Sequence, residues 1–222
     1  MKLVQCLHEY GLFLRGATRL TPQEIETYGF PVDKPELVLV GNIGSSYWPI
    51  FSQSTEYLDG EADPLDRWSR RIANEIAVEL ELQPVYPFSG PPYYPFQQWA
   101  QRADALEQSP IGVMMHPEYG LWHSYRFALL GPEFAIAEDK VLGESPCRSC
   151  DSKPCLQRCP VGAFDGNSYD VDRCAGYLLQ TPQAECHSRG CLARYACPIA
   201  AELNYVPEQG KFHLQAFLIA RK

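Results

Sequence analysis

The sequence predicts an α+β chain of two domains, residues 1–144 and 145–222. Three observations predict it. Short β-branched apolar runs alternate with amphipathic segments through the first part, which mixes strand and helix in one unit. Eight of the nine cysteines lie between Cys147 and Cys197, and only Cys6 precedes them. The charge changes at the same place: ten Lys/Arg stand against twenty Asp/Glu up to residue 144, and nine against seven after it. A length of 222 residues is enough for two such domains, at roughly 100–200 residues each.

Taken in order, residues 1–13 read as a short helix, with Leu3, Leu7 and Tyr10 three and four apart. P-E-L-V-L-V-G (35–41) is a buried strand, and G-N-I-G-S-S-Y-W-P after it is a tight turn that opens a helix near Ser45 or Ser46. Residues 62–82 form a helix with Asp63 as its cap and Pro64 at its first position. Trp68, Ile72, Ile76 and Leu80 supply its apolar stripe. L-Q-P-V-Y-P-F is a strand, and the four prolines between 87 and 95 make the following loop stiff and extended. Gln97–Leu106 is helical. I-G-V-M-M-H-P and L-W-H-S-Y-R-F-A-L-L are two strands joined as a hairpin through P-E-Y-G. Phe134–Ala137 adds a short strand, and Glu138–Pro146 is a polar linker.

No apolar run approaches the ~20 residues of a membrane helix. The opening M-K-L-V-Q-C-L-H-E-Y lacks the apolar core of a signal peptide. These features predict a cytoplasmic protein with no membrane partner, in which reducing conditions argue against disulfides. The acidic front domain argues against nucleic acid, which requires a basic face.

The second domain is organised by its thiols. The first run is Cys147-x2-Cys150-x4-Cys155-x3-Cys159-Pro160; the second half is Cys174, then Cys186-x4-Cys191-x5-Cys197-Pro198. Eight cysteines in two groups, each closing on Cys-Pro, supply the thiolates of two 4Fe-4S clusters, and in two-cluster ferredoxins the Cys-Pro cysteine of one run ligates the other cluster. Cys155 and Cys159, four apart, share one helical turn that Pro160 ends, yet serve different clusters. Arg148, Lys153, Arg158, Arg189 and Arg194 flank the cysteines and suit an anionic cluster. Two structural zincs could use the same eight residues, but zinc favours C-x2-C pairs and only Cys147/Cys150 is one. Cys6 reads as an ordinary buried thiol.

The segment I-G-V-M-M-H-P-E-Y-G-L-W-H-S-Y-R-F-A-L-L resembles two related families, the CblC-type cobalamin-processing proteins and the epoxyqueuosine reductases. The first has an H-P-x-[FY]-G-x-W strand pair in the same role, and A-D-P-L-D-R (62–67) also looks like that type. The second places a similar segment before a double-cluster domain. Where its members have G-W-I-G-K-N before the strand, this chain has E-Q-S-P-I-G. The resemblance implies a nitroreductase-like (CblC-like) sheet-and-helix domain followed by a ferredoxin-like two-cluster iron–sulfur domain. It implies cobalamin in the front domain, near His116, Tyr119, Gly120, Trp122 and Tyr125. Epoxyqueuosine reductases and reductive dehalogenases show the same cysteine order, with D-R-C-A-G-Y-L-L similar to the reductase's R-C-x-x-Y-L. Carried over, Cys147, Cys150, Cys155 and Cys197 hold one cluster and Cys159, Cys174, Cys186 and Cys191 the other.

The expectation is therefore a cobalamin-dependent reductase or corrinoid-processing protein. A ferredoxin- or flavodoxin-type donor protein would feed the clusters, and the front domain would act on a small-molecule substrate. Tyr119, Tyr125, Glu118 and Asp63 are candidate proton donors. The alternative is an electron-transfer protein without cobalamin, whose front domain docks a partner or a flavin.

Overall fold

The computed structural model describes residues 2–104, 106–134 and 145–221. In chain order the elements are α1 (Lys2–His8), β1 (Phe13–Arg19), α2 (Pro22–Tyr28), β2 (Glu36–Ile43), α3 (Trp48–Phe51), α4 (Thr55–Leu58), α5 (Pro64–Leu80), β3 (Gln83–Val85) and α6 (Phe96–Ala103). Then follow β4 (Glu107–Gln108), β5 (Met114–Met115), β6 (His123–Gly131), α7 (Pro154–Gln157), α8 (Val171–Gln180), α9 (Cys186–Arg189), α10 (Leu192–Tyr195) and α11 (Pro207–Ile219). The mixed α+β class is as expected. No helix among the described residues is long and apolar enough to cross a membrane.

The chain divides into two units, Met1–Ala105 with Ser124–Leu142, and Leu106–His123 with Gly143–Lys222. Residues 106–123, assigned to the front domain on sequence, thus pack with the cysteines. The expected boundary at 144, most of the strand Phe134–Ala137 and most of the linker Glu138–Pro146 lie outside the described residues.

In the first unit a four-stranded sheet runs in the order β1-β2-β6-β3. β1 and β2 are antiparallel, as are β3 and β6. β2 forms because Leu37, Val38, Leu39 and Val40 are a continuous buried run. α5 buries Trp68, Ile72, Ala73, Ile76 and Ala77 on one side, matching the expected stripe. Its start differs from expectation. Asp63 adopts a left-handed conformation (φ 51°, ψ 46°), and its side chain makes no capping bond. The first turn closes instead on its backbone carbonyl, which accepts from Asp66 N at 3.1 Å and Arg67 N at 3.0 Å. The proline loop packs inward at Tyr94, which stacks on Phe30 and Trp99.

The expected hairpin does not form. The P-E-Y-G turn is present, closed by a bridge between His116 and Gly120, but the strands it should join part company. Met114–Met115 pairs with Glu107–Gln108. β6 enters the larger sheet between β2 and β3, so both its edges are taken. Its continuous run of five buried residues, Phe127 to Gly131, makes the central position the one that removes most apolar surface from water.

Candidate metal centre

The second unit gathers the eight cysteines into two sets. Cys147, Cys150, Cys155 and Cys197 line one cavity, walled by Met115, Leu121 and the two residues Pro154 and Pro198. Cys155 and Cys197 are buried in an apolar cluster with Ile111, Met115, Leu121 and Ala193. Cys155 sits on α7, whose first residue is Pro154, where the missing N–H costs no helical bond. α7 ends at Gln157, so Cys159 lies beyond the turn that the four-residue spacing predicted it would share. The reason is a tight turn: Gly162 N donates to Cys159 O at 3.1 Å with Pro160 between them. That turn redirects the chain, and Cys159 lines the other cavity.

Cys159, Cys174, Cys186 and Cys191 line this second, larger cavity of about 500 Å³. Cys174 stands on α8, whose N-cap Asp170 accepts from Arg173 N at 2.9 Å. Cys186 opens α9 and Cys191 precedes α10. α11 contributes His213, Leu214 and Phe217 to the lining. It reaches α9 because Gly210 has no side chain: a Cβ there would stand 1.9 Å from Arg189 O. Gly210→Ala is expected to push α11 off α9 and destabilise this unit by about 1–3 kcal/mol, read as an earlier thermal transition of the purified protein.

Burial is the main reason the thiols of Cys147, Cys155, Cys174, Cys186 and Cys197 are raised above their ordinary value. Cys191 is pushed up to about 11 by the same cause. Thiol neighbours add to it only within a set: Cys147 feels Cys197, Cys155 and Cys150, whereas Cys174 feels Cys159 and Cys186. Among the described residues, no three His, Cys, Asp or Glu side chains converge tightly enough to hold one metal ion. The sulfurs of each set instead line a cavity, and four separated thiolates are the donor set of a cubane cage. The indole of Trp122, fully buried, lines the second cavity, and its Nε1–H has no hydrogen-bond acceptor among the described residues. An acceptor-bearing group in that cavity would satisfy it.

The cations that flank the cysteines are mostly engaged elsewhere. Arg148 pairs with Glu107 at 3.1 Å, and Arg158 and Arg189 pair with Glu185 at 3.4 and 3.7 Å. Arg194 donates to Leu121 O and lies over Trp122 and Tyr205. Cys6 is half-buried on α1, with Glu79 Oε2 3.9 Å away, not in a core.

The five residues expected to hold a cofactor divide between the units. His116, Tyr119, Gly120 and Trp122 belong to the second. His116 Nδ1 accepts from Glu118 N at 3.0 Å and Tyr119 N at 3.1 Å, so this nitrogen closes the turn. Gly120 takes φ 57°, and a Cβ on it would stand 2.5 Å from Ile199 O. Tyr125 belongs to the first unit, where its hydroxyl donates to Asp104 Oδ2 at 2.9 Å. Neither unit alone gathers all five.

Sequence reasoning missed two features. One is the buried network around Asp104, which also accepts from Arg15 at 3.0 Å while Arg15 donates to Asn42 O at 3.1 Å. Its members lie 89 positions apart, so no local pattern announces them. Burial pushes the Tyr125 phenol there far above its ordinary value. The other is Tyr169, which stacks on Phe164 and lines the second cavity together with Cys174. Its signal was its place, immediately before the cap of the helix that carries that cysteine.

No protein-family model matches the sequence, and no curated protein matches it. Among solved structures the fold is that of epoxyqueuosine reductases. The enzyme from Streptococcus thermophilus superposes with TM-score 0.51 at 16% identity, over 94% of this chain and 69% of that one. The Bacillus subtilis enzyme, with its catalytic loop swung out of the active site, gives 0.50 at 14% identity, over 94% and 68%. An epoxyqueuosine reductase with a tRNA-Tyr epoxyqueuosine-modified tRNA stem loop gives 0.47 at 16%, over 94% and 69%. This last comparison overturns the expectation that acidity argues against nucleic acid. A net charge summed over a domain does not say what one face carries, and the second domain has a surplus of cations.

Proposed function

We propose that this chain is an iron–sulfur redox protein that holds two 4Fe-4S clusters in its second unit and works as a reductase. The observation that carries the reading is the sorting of eight thiols into two sets of four. Cys147, Cys150, Cys155 and Cys197 would hold one cluster, and Cys159, Cys174, Cys186 and Cys191 the other. The clusters would supply one-electron transfer at low potential. The chain's own part is to bury the sulfurs, exclude water and donate hydrogen bonds to them. Ala163 N, which donates to Cys159 Sγ at 3.3 Å, is one such donor. An electron-donor protein of ferredoxin or flavodoxin type would supply the electrons.

The finer form of the reading names cobalamin as the acceptor, on the H-P-E-Y-G-L-W resemblance alone. The five residues it relies on are not gathered within one unit and are occupied by the protein's own packing, so no step is derived through cobalamin. Anaerobic titration with cob(II)alamin tests it: a changed absorption spectrum supports it, and an unchanged one contradicts it.

Anaerobic reconstitution followed by metal and sulfide analysis tests the reading itself. About eight irons and eight sulfides per chain are expected, four of each for every cubane. Tightly bound zinc in place of iron and sulfide contradicts it. The same reconstituted protein, assayed with reductant on an epoxyqueuosine-containing tRNA stem loop, tests whether the substrate of the similar enzymes is also this chain's.

A further inference from the structure

Of the five cations that flank the cysteines, three hold carboxylates: Arg148 pairs with Glu107, and Arg158 and Arg189 pair with Glu185. Lys153 is exposed, where water and salt screen its charge. Arg194 differs from all four. It is part-buried, it lines the second cavity, and among the described residues no carboxylate pairs with it. A charge withdrawn from water in this way calls for a counter-charge. The groups that hold it are neutral. Its Nε donates to Leu121 O at 3.1 Å, and Nη2 donates to the same oxygen. The guanidinium lies 4.7 Å from the centre of the Trp122 ring and 4.4 Å from that of Tyr205. Tyr205 is fixed in turn by Tyr195, whose hydroxyl donates to its carbonyl at 2.6 Å. These contacts set the charge at the partition between the two cavities of the second unit. Leu121 walls the first and Trp122 lines the second. On the chain, Arg194 stands between Cys191 of one set and Cys197 of the other, and the Cys197 N–H donates to its carbonyl at 3.2 Å.

Resting on the two-cluster reading, we propose that Arg194 is the fixed counter-charge of the cluster held by Cys159, Cys174, Cys186 and Cys191, and raises the reduction potential of that cluster more than that of the other. A guanidinium keeps its charge throughout the pH range in which proteins work. One carbonyl and two aromatic faces hold it in place without cancelling that charge. Reduction brings one electron from the donor protein and adds one negative charge to a cluster that its four thiolates already make anionic; no bond to iron breaks. A nearby positive charge attracts the reduced form more than the oxidised one, and cluster potentials follow the net charge around them. The attraction falls with distance. Arg194 lines the second cavity, whereas at the first it reaches only the carbonyl of a wall residue. The second potential therefore rises more than the first.

The test compares the reconstituted full chain with Arg194→Gln, which removes the charge and keeps an amide that can donate to Leu121 O, and with Arg194→Lys, which keeps the charge and removes the planar fork. Iron and sulfide are measured first, then both clusters are titrated under controlled potential and followed by electron paramagnetic resonance. The couple that survives Cys197→Ala is assigned to the second cluster. In Arg194→Gln its ratio of reduced to oxidised form is expected to fall about tenfold at a fixed potential, ~59 mV for one electron, with a smaller fall in the other couple. Arg194→Lys is expected to stay close to the parent. An unchanged second couple in Arg194→Gln overturns the assignment, as does an equal or larger fall in the first couple, or the same fall in both variants. Loss of iron from both variants also overturns it, because the fork is then a structural brace. Loss of iron from Arg194→Gln alone supports it, since the lysine variant keeps the charge and lacks the fork. Failure of the parent itself to bind iron and sulfide overturns the two-cluster reading instead, so the two failures are told apart.

Discussion

Replacing Cys197 by Ala is expected to remove the cluster held with Cys147, Cys150 and Cys155, although Cys197 lies 42 positions after Cys155. This follows from its placement: Cys197 shares a cavity with Cys147, Cys150 and Cys155, and is buried with Cys155 in the same apolar cluster. About four of the eight irons should be lost, and the signal of the second cluster should persist. Cys159→Ala should do the reverse, although Cys159 follows Cys155 by four residues. Its sulfur lines the second cavity, accepts from Ala163 N at 3.3 Å, and stands beside Cys174 and Cys186. Iron analysis and electron paramagnetic resonance of the two variants check both outcomes. Loss of the same signal in both contradicts the crossed arrangement.

Asp104→Ala is expected to be the most destabilising single change in the first unit. Arg15 and Asp104 form an ion pair at 3.0 Å with side chains only 1% and 5% exposed. Removing the carboxylate leaves a guanidinium without its counter-charge in the interior, an error that costs about 3–5 kcal/mol. It also deprives the Tyr125 hydroxyl of its acceptor. The pair itself need not be strongly stabilising, because desolvating two charges offsets most of their attraction. The double change Arg15→Met with Asp104→Leu should therefore recover much of the loss. Urea unfolding followed by the tryptophan fluorescence of the first unit, which includes Trp68 and Trp99, checks this. A double variant as unstable as the single one contradicts it.

The parts of the fold legible in the sequence were those encoded locally. Leu37–Val40 announces a buried strand because four consecutive apolar residues have no other use at that length. Trp68, Ile72 and Ile76 announce a helix by their spacing, and all three are buried on α5. The cysteine grouping was accessible because Cys-Pro marks where a run crosses over. Elements decided by distant partners were not legible. Nothing near Met114–Met115 says that its partner is Glu107–Gln108, or that β6 is claimed on both edges by β2 and β3. The Asp63 cap failed for a backbone reason: composition favours aspartate there, but a left-handed φ turns its carboxylate away from the helix amides. The contact of Arg15 with Asp104 depends on three-dimensional placement alone.

The crossed sorting of the thiols is the central claim, and paired replacements measure it most directly. Under crossed sorting, Cys159→Ala with Cys174→Ala damages one cluster only, and the reconstituted protein should retain about four irons per chain. Cys155→Ala with Cys159→Ala damages both and should retain almost none. If the cysteines were sorted in sequence order, the two results would exchange: the first variant would lose its iron and the second would keep about four. Iron content of these two proteins, measured side by side after the same reconstitution, decides between the two arrangements.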